Sequence, residues 1–222
     1  MINIAFKMQR YLFTILISAI VISLGITRDS YSAGFGDLNI VSGIESLALN
    51  NDDEALKYFE KYLEAQPKGQ LAQETRFLAA RAALKRSAPK RALYYLTNLE
   101  QELPEIADYV LSLRGQSYRA LFQWHKAIQS WKKLESTYPD SPLSKEIRYQ
   151  IGDAYFALAA ISEAQKSYNE ALKVSPKSDQ SILAKFNLAH IAELMGEFNE
   201  ASDLYKKFVY YRPSHPLSEL AE

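Results

Sequence analysis

Residues 152–176 read G-D-A-Y-F-A-L-A-A-I-S-E-A-Q-K-S-Y-N-E-A-L-K-V-S-P. Ala164 follows Gly152 by twelve residues, Pro176 follows Ala164 by twelve, and Tyr168 stands one helical turn past the alanine. The same spacing recurs along the chain. Small residues fall at Gly43, Ala80, Gly115, Gly152 and Ala189. Alanines follow at Ala55, Ala92, Ala127, Ala164 and Ala201, and prolines at Pro67, Pro104, Pro139, Pro176 and Pro213. Successive prolines are 37, 35, 37 and 37 residues apart. A fixed period of this length is the mark of a repeat architecture.

The pattern describes a pair of helices. A small residue on the first helix and an alanine on the second let the two backbones approach. Four residues past each alanine comes a large side chain, Phe59, Leu96, Trp131, Tyr168 or Tyr205, on the same face of the second helix. It is placed to fill the gap to the next pair. Proline then ends the second helix, because it lacks an N–H and clashes with the preceding turn, and it biases the residue before it away from helical angles.

The small/alanine/large/proline set resembles the tetratricopeptide repeat. Met195-Gly196-Glu197-Phe198-Asn199-Glu200-Ala201 is similar to the inter-helix turn of that family. The resemblance spans about residues 36–216. It is strongest in the last three repeats and weakest in the first, whose opening helix reads as short and polar around Asn39 and Ser42. Against the family's usual period of 34 residues, this chain carries a longer loop after each proline. The fold class is all-α, and the resemblance implies a right-handed superhelical α-solenoid of about five helix pairs over residues 33–216. Residues 217–222 read as the start of a further repeat or as a frayed tail, since Pro213-Ser214-His215-Pro216-Leu217-Ser218 repeats the join Pro139-Asp140-Ser141-Pro142-Leu143-Ser144.

In that family the first helix of each pair lines the concave side, which implies a binding groove. Register places Phe77, Tyr149 and Phe186 three residues before the small position, and Arg81, Gln116, Asp153 and His190 one residue after it. Arg119, Phe156 and Glu193 stand four residues after it. Such a groove, aromatic along one line and mixed-polar along the next, suits an extended peptide, a helix or a glycan strand. It lacks the Lys and Asn pattern with which some tetratricopeptide proteins clamp a terminal carboxylate. The alternative is that these rings pack between repeats and bind nothing.

Lys+Arg and Asp+Glu balance at 26 each, and no basic stripe offers a footprint for nucleic acid. Cysteine is absent, which excludes disulfides, thiol nucleophiles and a lipid-bearing cysteine. The three histidines, His125, His190 and His215, lie in different repeats without a metal-ligand spacing. There is no phosphate-loop signature. Carboxylates such as Asp52-Asp53-Glu54 sit at helix starts, where they favour the helix dipole. No cofactor, metal site or catalytic constellation is expected.

Residues 1–32 form a separate object. Lys7 and Arg10 precede the largely apolar run 11–26, and Ser30-Tyr31-Ser32 supplies the small residues a signal peptidase reads. The run's 16 residues make a helix of about 24 Å, against a hydrocarbon core of roughly 30 Å. A cleaved secretory signal and an uncleaved inner-membrane anchor both remain open. Either places the chain in the periplasm, and any membrane contact would run through this segment alone.

Residues 103–143, with Ile106-Ala107-Asp108-Tyr109 opening a helix and Tyr138-Pro139-Asp140-Ser141-Pro142-Leu143 closing the repeat, resemble the N-terminal superhelical region of bacterial lytic murein transglycosylases. That resemblance implies a non-catalytic arm, or a truncated copy of one, that holds peptidoglycan or envelope partners. The other reading is a free-standing periplasmic adaptor for protein partners in outer-membrane assembly or cell division.

Overall fold

The computed structural model describes residues 35–68, 71–174 and 179–219. The expected leader, residues 1–32, and Pro176 lie outside them. Every regular element among the described residues is helical. The chain divides into two compact units that meet in sequence at Arg86 and Ser87.

The first unit holds α1 (Phe35–Ala48), α2 (Asp52–Ala65) and α3 (Ala72–Lys85). Helix α1 is as long as its neighbours, against the expectation of a short polar opening. Ile40, Ile44 and Leu47 form a buried stripe on it, so Asn39 and Ser42 do not interrupt its apolar face. Asn51 caps α2 by accepting from the Glu54 N–H at 3.3 Å.

The second unit holds α4 (Pro89–Tyr95), α5 (Leu99–Glu102), α6 (Ala107–Ala120), α7 (Trp124–Thr137), α8 (Leu143–Ala157), α9 (Ile161–Val174), α10 (Asp179–Leu194) and α11 (Phe198–Tyr211). Helices α6/α7, α8/α9 and α10/α11 are hairpins, and each packs on the next through α7 on α8 and α9 on α10. One core joins Trp131 and Leu134 of α7 to Ile147 and Ile151 of α8. The next joins Tyr168 of α9 to Ala184, Leu188 and Ile191 of α10.

The repeat register explains this packing. All five alanines and all five small positions are buried. The atoms nearest to the glycines among them belong to rings. A Cβ built on Gly115 would meet Trp131 Cδ1 at 2.5 Å, and one on Gly152 would meet Tyr168 Cε1 at 2.6 Å. In the first unit, Gly43 meets Phe59 in the same way, 2.8 Å from its Cδ1. Helices end two residues before Pro67, Pro104, Pro139 and Pro213. The intervening residues, Gln66, Leu103, Tyr138 and Arg212, are driven out of the helical region, with ψ of 65°, 71°, 61° and 56°.

Two features were not legible in the spacing. The second helix of the second repeat is broken into α4 and α5. Asn98 takes a left-handed conformation at φ 57°, and the freed Leu96 carbonyl accepts from Arg114 Nη2 at 2.8 Å. Arg114 also pairs with Glu100, which holds that carboxylate's pKa down at about 2. The other feature is the turn inside each pair. Asn50, Ser87, Phe122, Ala159 and Gly196, each five residues before the register alanine, all have positive φ between 55° and 78°.

The two proline joins fold alike. Ser144 Oγ donates to the Tyr138 carbonyl at 2.6 Å, and Ser218 Oγ to the Arg212 carbonyl at 2.5 Å. Leu143 N–H is held by Ser141 Oγ, and Leu217 N–H by His215 Nδ1, both at 3.2 Å. The second join therefore has the geometry of a helix start, and Pro216–Ser218 forms a 3-10 turn there.

Candidate functional site

Trp131 and Tyr168 of the second helices are wholly buried, and the candidate groove residues of the second unit lie on α6, α8 and α10. On α8, Tyr149, Asp153 and Phe156 follow one another at spacings of four and three residues and are all half-buried, which places them on one face.

Asp153 is the centre of this face. Its Oδ1 accepts from Tyr168 Oη at 2.7 Å and from Asn187 Nδ2 at 3.1 Å. Asn187 Nδ2 also lies 2.9 Å from the same tyrosine oxygen. Burial pushes the Asp153 pKa up, and these bonds, with the charge of Arg119 and the neighbouring Tyr149, oppose the shift without cancelling it. Tyr149 and Tyr168 are pushed up in turn, first by burial and then by the Asp153 charge. The Tyr149 ring lies 5.8 Å from that of Tyr168.

The neighbouring positions pack in pairs. Phe156 and His190 place their ring centroids 5.4 Å apart, joining α8 to α10. Phe186 meets Tyr205 at 5.5 Å and Phe208 at 5.1 Å, so part of its ring serves the α10/α11 hairpin. Exposed Glu193 accepts from Tyr205 Oη at 3.1 Å. Burial and this carboxylate push the Tyr205 pKa up to about 12. Gln116 donates to Ser112 Oγ at 3.2 Å, and Arg119 is exposed at the end of α6.

Phe77 and Arg81 lie on α3, in the first unit. Phe77 is 8% exposed and presents almost none of its ring, because the alanine-rich helix lets its neighbours close in. Arg81 is half-buried. Burial lowers its pKa and the charge of Asp52 opposes the shift.

Three residues of the face were not singled out by register. Tyr168 fills space between helices, yet its hydroxyl also orients Asp153. Asn187 stands one turn before His190. Glu146 stands one turn before Tyr149, half-buried, with its pKa raised by burial. Its position, six residues before Gly152, continues the line that the sequence reading began at Tyr149.

Among the described residues no group of three or more His, Asp or Glu side chains could hold a metal ion. His125 is exposed at the start of α7, and the His215 ring packs edge-on to Phe208 at 5.6 Å. The shallow pocket between α7, α8 and α9 carries both signs of charge, with Arg148 donating to Glu135 at 2.6 Å. No described helix is long and apolar enough to cross a membrane.

Family models described as tetratricopeptide repeat match residues 43–68, 145–178 and 183–215, and a second such model matches 109–141. Together they cover more than half of the chain. No curated protein matches it by sequence. Among solved structures, a tetratricopeptide repeat protein from Parabacteroides merdae aligns with TM-score 0.70 at 16% identity, covering 84% of this chain and 70% of that one. MamA from Desulfovibrio magneticus RS-1 aligns with TM-score 0.68 at 15% identity, covering 83% and 98%. MamA of AMB-1 gives 0.65 at 20% identity, covering 84% and 96%. These likenesses establish the shared fold.

Proposed function

Since the chain belongs to the tetratricopeptide-repeat family, we propose that it is a non-catalytic scaffold that holds an extended segment of a partner protein across the first-helix face of α6, α8 and α10. The observation that carries this reading is the row Tyr149, Asp153 and Phe156. Two rings and an oriented carboxylate remain half-open, while the second helices spend Trp131 and Tyr168 on packing. The pattern of residues 1–32 supports export, so the partner would belong to the cell envelope.

The test is display of random dodecapeptides against the full chain. Enriched peptides should bind the wild type and lose affinity for the folded double variant Tyr149→Ala/Phe156→Ala. Enrichment that this variant leaves unchanged moves the site elsewhere. A second reading, the arm of a lytic murein transglycosylase, rests on the phrase between Ile106 and Leu143. It predicts co-sedimentation with purified peptidoglycan that the same double variant abolishes.

A further inference from the structure

The geometry points to a basic occupant: the face of α8 between α6 and α10 receives an arginine-bearing extended segment. This rests on the scaffold reading above and adds the chemistry of the partner.

The first support is the balance of charge. At or beside the face positions of α6, α8 and α10 stand Glu146, Asp153 and Glu193 against Arg119 and Lys145, the latter one turn before Tyr149. The other basic residues of the three helices are engaged. Arg114 pairs with Glu100, and Arg148 with Glu135. Lys185 lies over the Tyr211 ring at 4.9 Å.

Asp153 supplies the second support. The bonds from Tyr168 and Asn187 both fall on Oδ1, so the carboxylate is held in direction before any partner arrives. These donors, with Tyr149 and the charge of Arg119, do not offset its loss of water. Glu146 makes no hydrogen bond or ion pair among the described residues. Seven residues separate the two carboxylates, or about 10 Å along the helix. Each would gain from a cation brought to it, because a partly dehydrated carboxylate interacts with a guanidinium more strongly than a solvated one does.

The rings choose between cations. Tyr149 sits between the two carboxylates in sequence, and Phe156 with His190 follows Asp153 by one turn. Guanidinium stacks on ring faces while its fork pairs with a carboxylate, and an ammonium cannot do both in a plane. This polarity is opposite to that of a site built for a terminal carboxylate.

The experiment uses the full chain and fluorescein-labelled dodecapeptides on an Ala/Leu background. Four versions carry Arg, Lys, Gln or Glu at every third position, and anisotropy reads their binding at low and moderate salt. They are run beside the display selection. Arginine peptides should bind best, glutamine peptides about tenfold or more weaker, and glutamate peptides weakest. Asp153→Asn and Glu146→Gln should each erase most of the arginine preference while the protein melts cooperatively. Arg119→Gln should tighten the arginine peptide by removing a competing cation. An enriched pool without basic bias, or equal binding of arginine and glutamine peptides, overturns the basic occupant and leaves the scaffold reading intact. A display selection that enriches no peptide overturns both.

Discussion

Adding one methyl group at Gly115 tests the packing rule on which the second unit is built. A Cβ there would stand 2.5 Å from Cδ1 and Cε2 of Trp131, whereas carbon contacts below about 3.4 Å are tight. The indole must therefore retreat by roughly 1 Å. It is 0% exposed and packed among Leu111, Ala127, Leu134, Ile147 and Ile151, so the retreat strains a closed core. Overpacking of this kind costs about 1–3 kcal/mol. The bond from Trp131 Nε1 to the Ser112 carbonyl, 3.3 Å, is also put at risk, at about 1 kcal/mol. Against this, alanine is the better helix former by about 1 kcal/mol. Gly115→Ala should therefore destabilise the protein by about 1–3 kcal/mol.

The second repeat suggests the control. There the register has alanine and leucine, Ala80 and Leu96, at the positions of the glycine and the ring. In a Trp131→Leu background the ring is gone, and the methyl enters vacated space. Gly115→Ala should then be neutral or stabilising by up to about 1 kcal/mol. The cycle should thus show a coupling of about 1–4 kcal/mol. Urea unfolding followed by far-UV circular dichroism measures all four proteins. A Gly115→Ala cost that is equal in both backgrounds, or a stabilised single variant, would refute the argument that the ring excludes a side chain at this position.

Ala159 holds φ 55° in the turn between α8 and α9, so Ala159→Gly should raise the unfolding midpoint, by about 0.5–1 kcal/mol after the added entropy of the unfolded chain is counted. Gly196→Ala, where a Cβ would touch nothing within 4 Å but φ is 78°, should lower it by about 1 kcal/mol; an unchanged midpoint would show that the turn does not need the conformation. The Glu100 pKa is depressed to about 2, so its stabilisation is present above the ordinary carboxylate range and is lost as pH falls from there through about 2. Glu100→Gln should accordingly destabilise at pH 7 and have little effect at pH 2, as acid titration of the wild type and variant would check. Asp153 is displaced the other way. Its native form favours the proton, so its ionisation weakens the fold as pH rises past its ordinary value, and Asp153→Asn should raise the midpoint at pH 7 above that of the wild type.

Period and helix ends were legible because each is written by a residue with one strong property. Proline cannot continue a helix, and glycine admits what no side chain does. The contents of the gaps were less legible. Spacing twelve residues apart drew attention to the alanine opposite Gly152, whereas the nearest atoms belong to Tyr168. A side chain four residues farther on reaches back over the intervening turn, as helical side chains lean toward the N-terminus. The left-handed turns were hidden for a different reason. Gly196 and Asn50 are residue types that favour it, while Phe122, 76% exposed at φ 57°, and Ala159 adopt it because the helices on either side dictate it. The break at Asn98 was equally local, and the Arg114 bond to Leu96 that accompanies it spans 18 residues of sequence. For the candidate site, register gave helix positions but not the hydrogen bonds between them. It placed Asp153 and His190 correctly on the first helices, yet it could not say that the ring assigned to filling space would also donate to the carboxylate.

That double use of Tyr168 links folding to binding in one residue. Its ring closes the contact with Gly152, and its hydroxyl, carried to the edge of the core by that contact, fixes Asp153. A phenylalanine at 168 would keep the packing and release the carboxylate. A leucine would lose both. The repeat therefore has a reason to carry tyrosine where packing alone would accept any large apolar side chain. Asp153 is correspondingly a group whose burial opposes stability and whose orientation is set by the fold. Stability alone would favour an uncharged residue there. Within the chain the opposite sign comes from Arg119, which opposes the effect of burial without cancelling it.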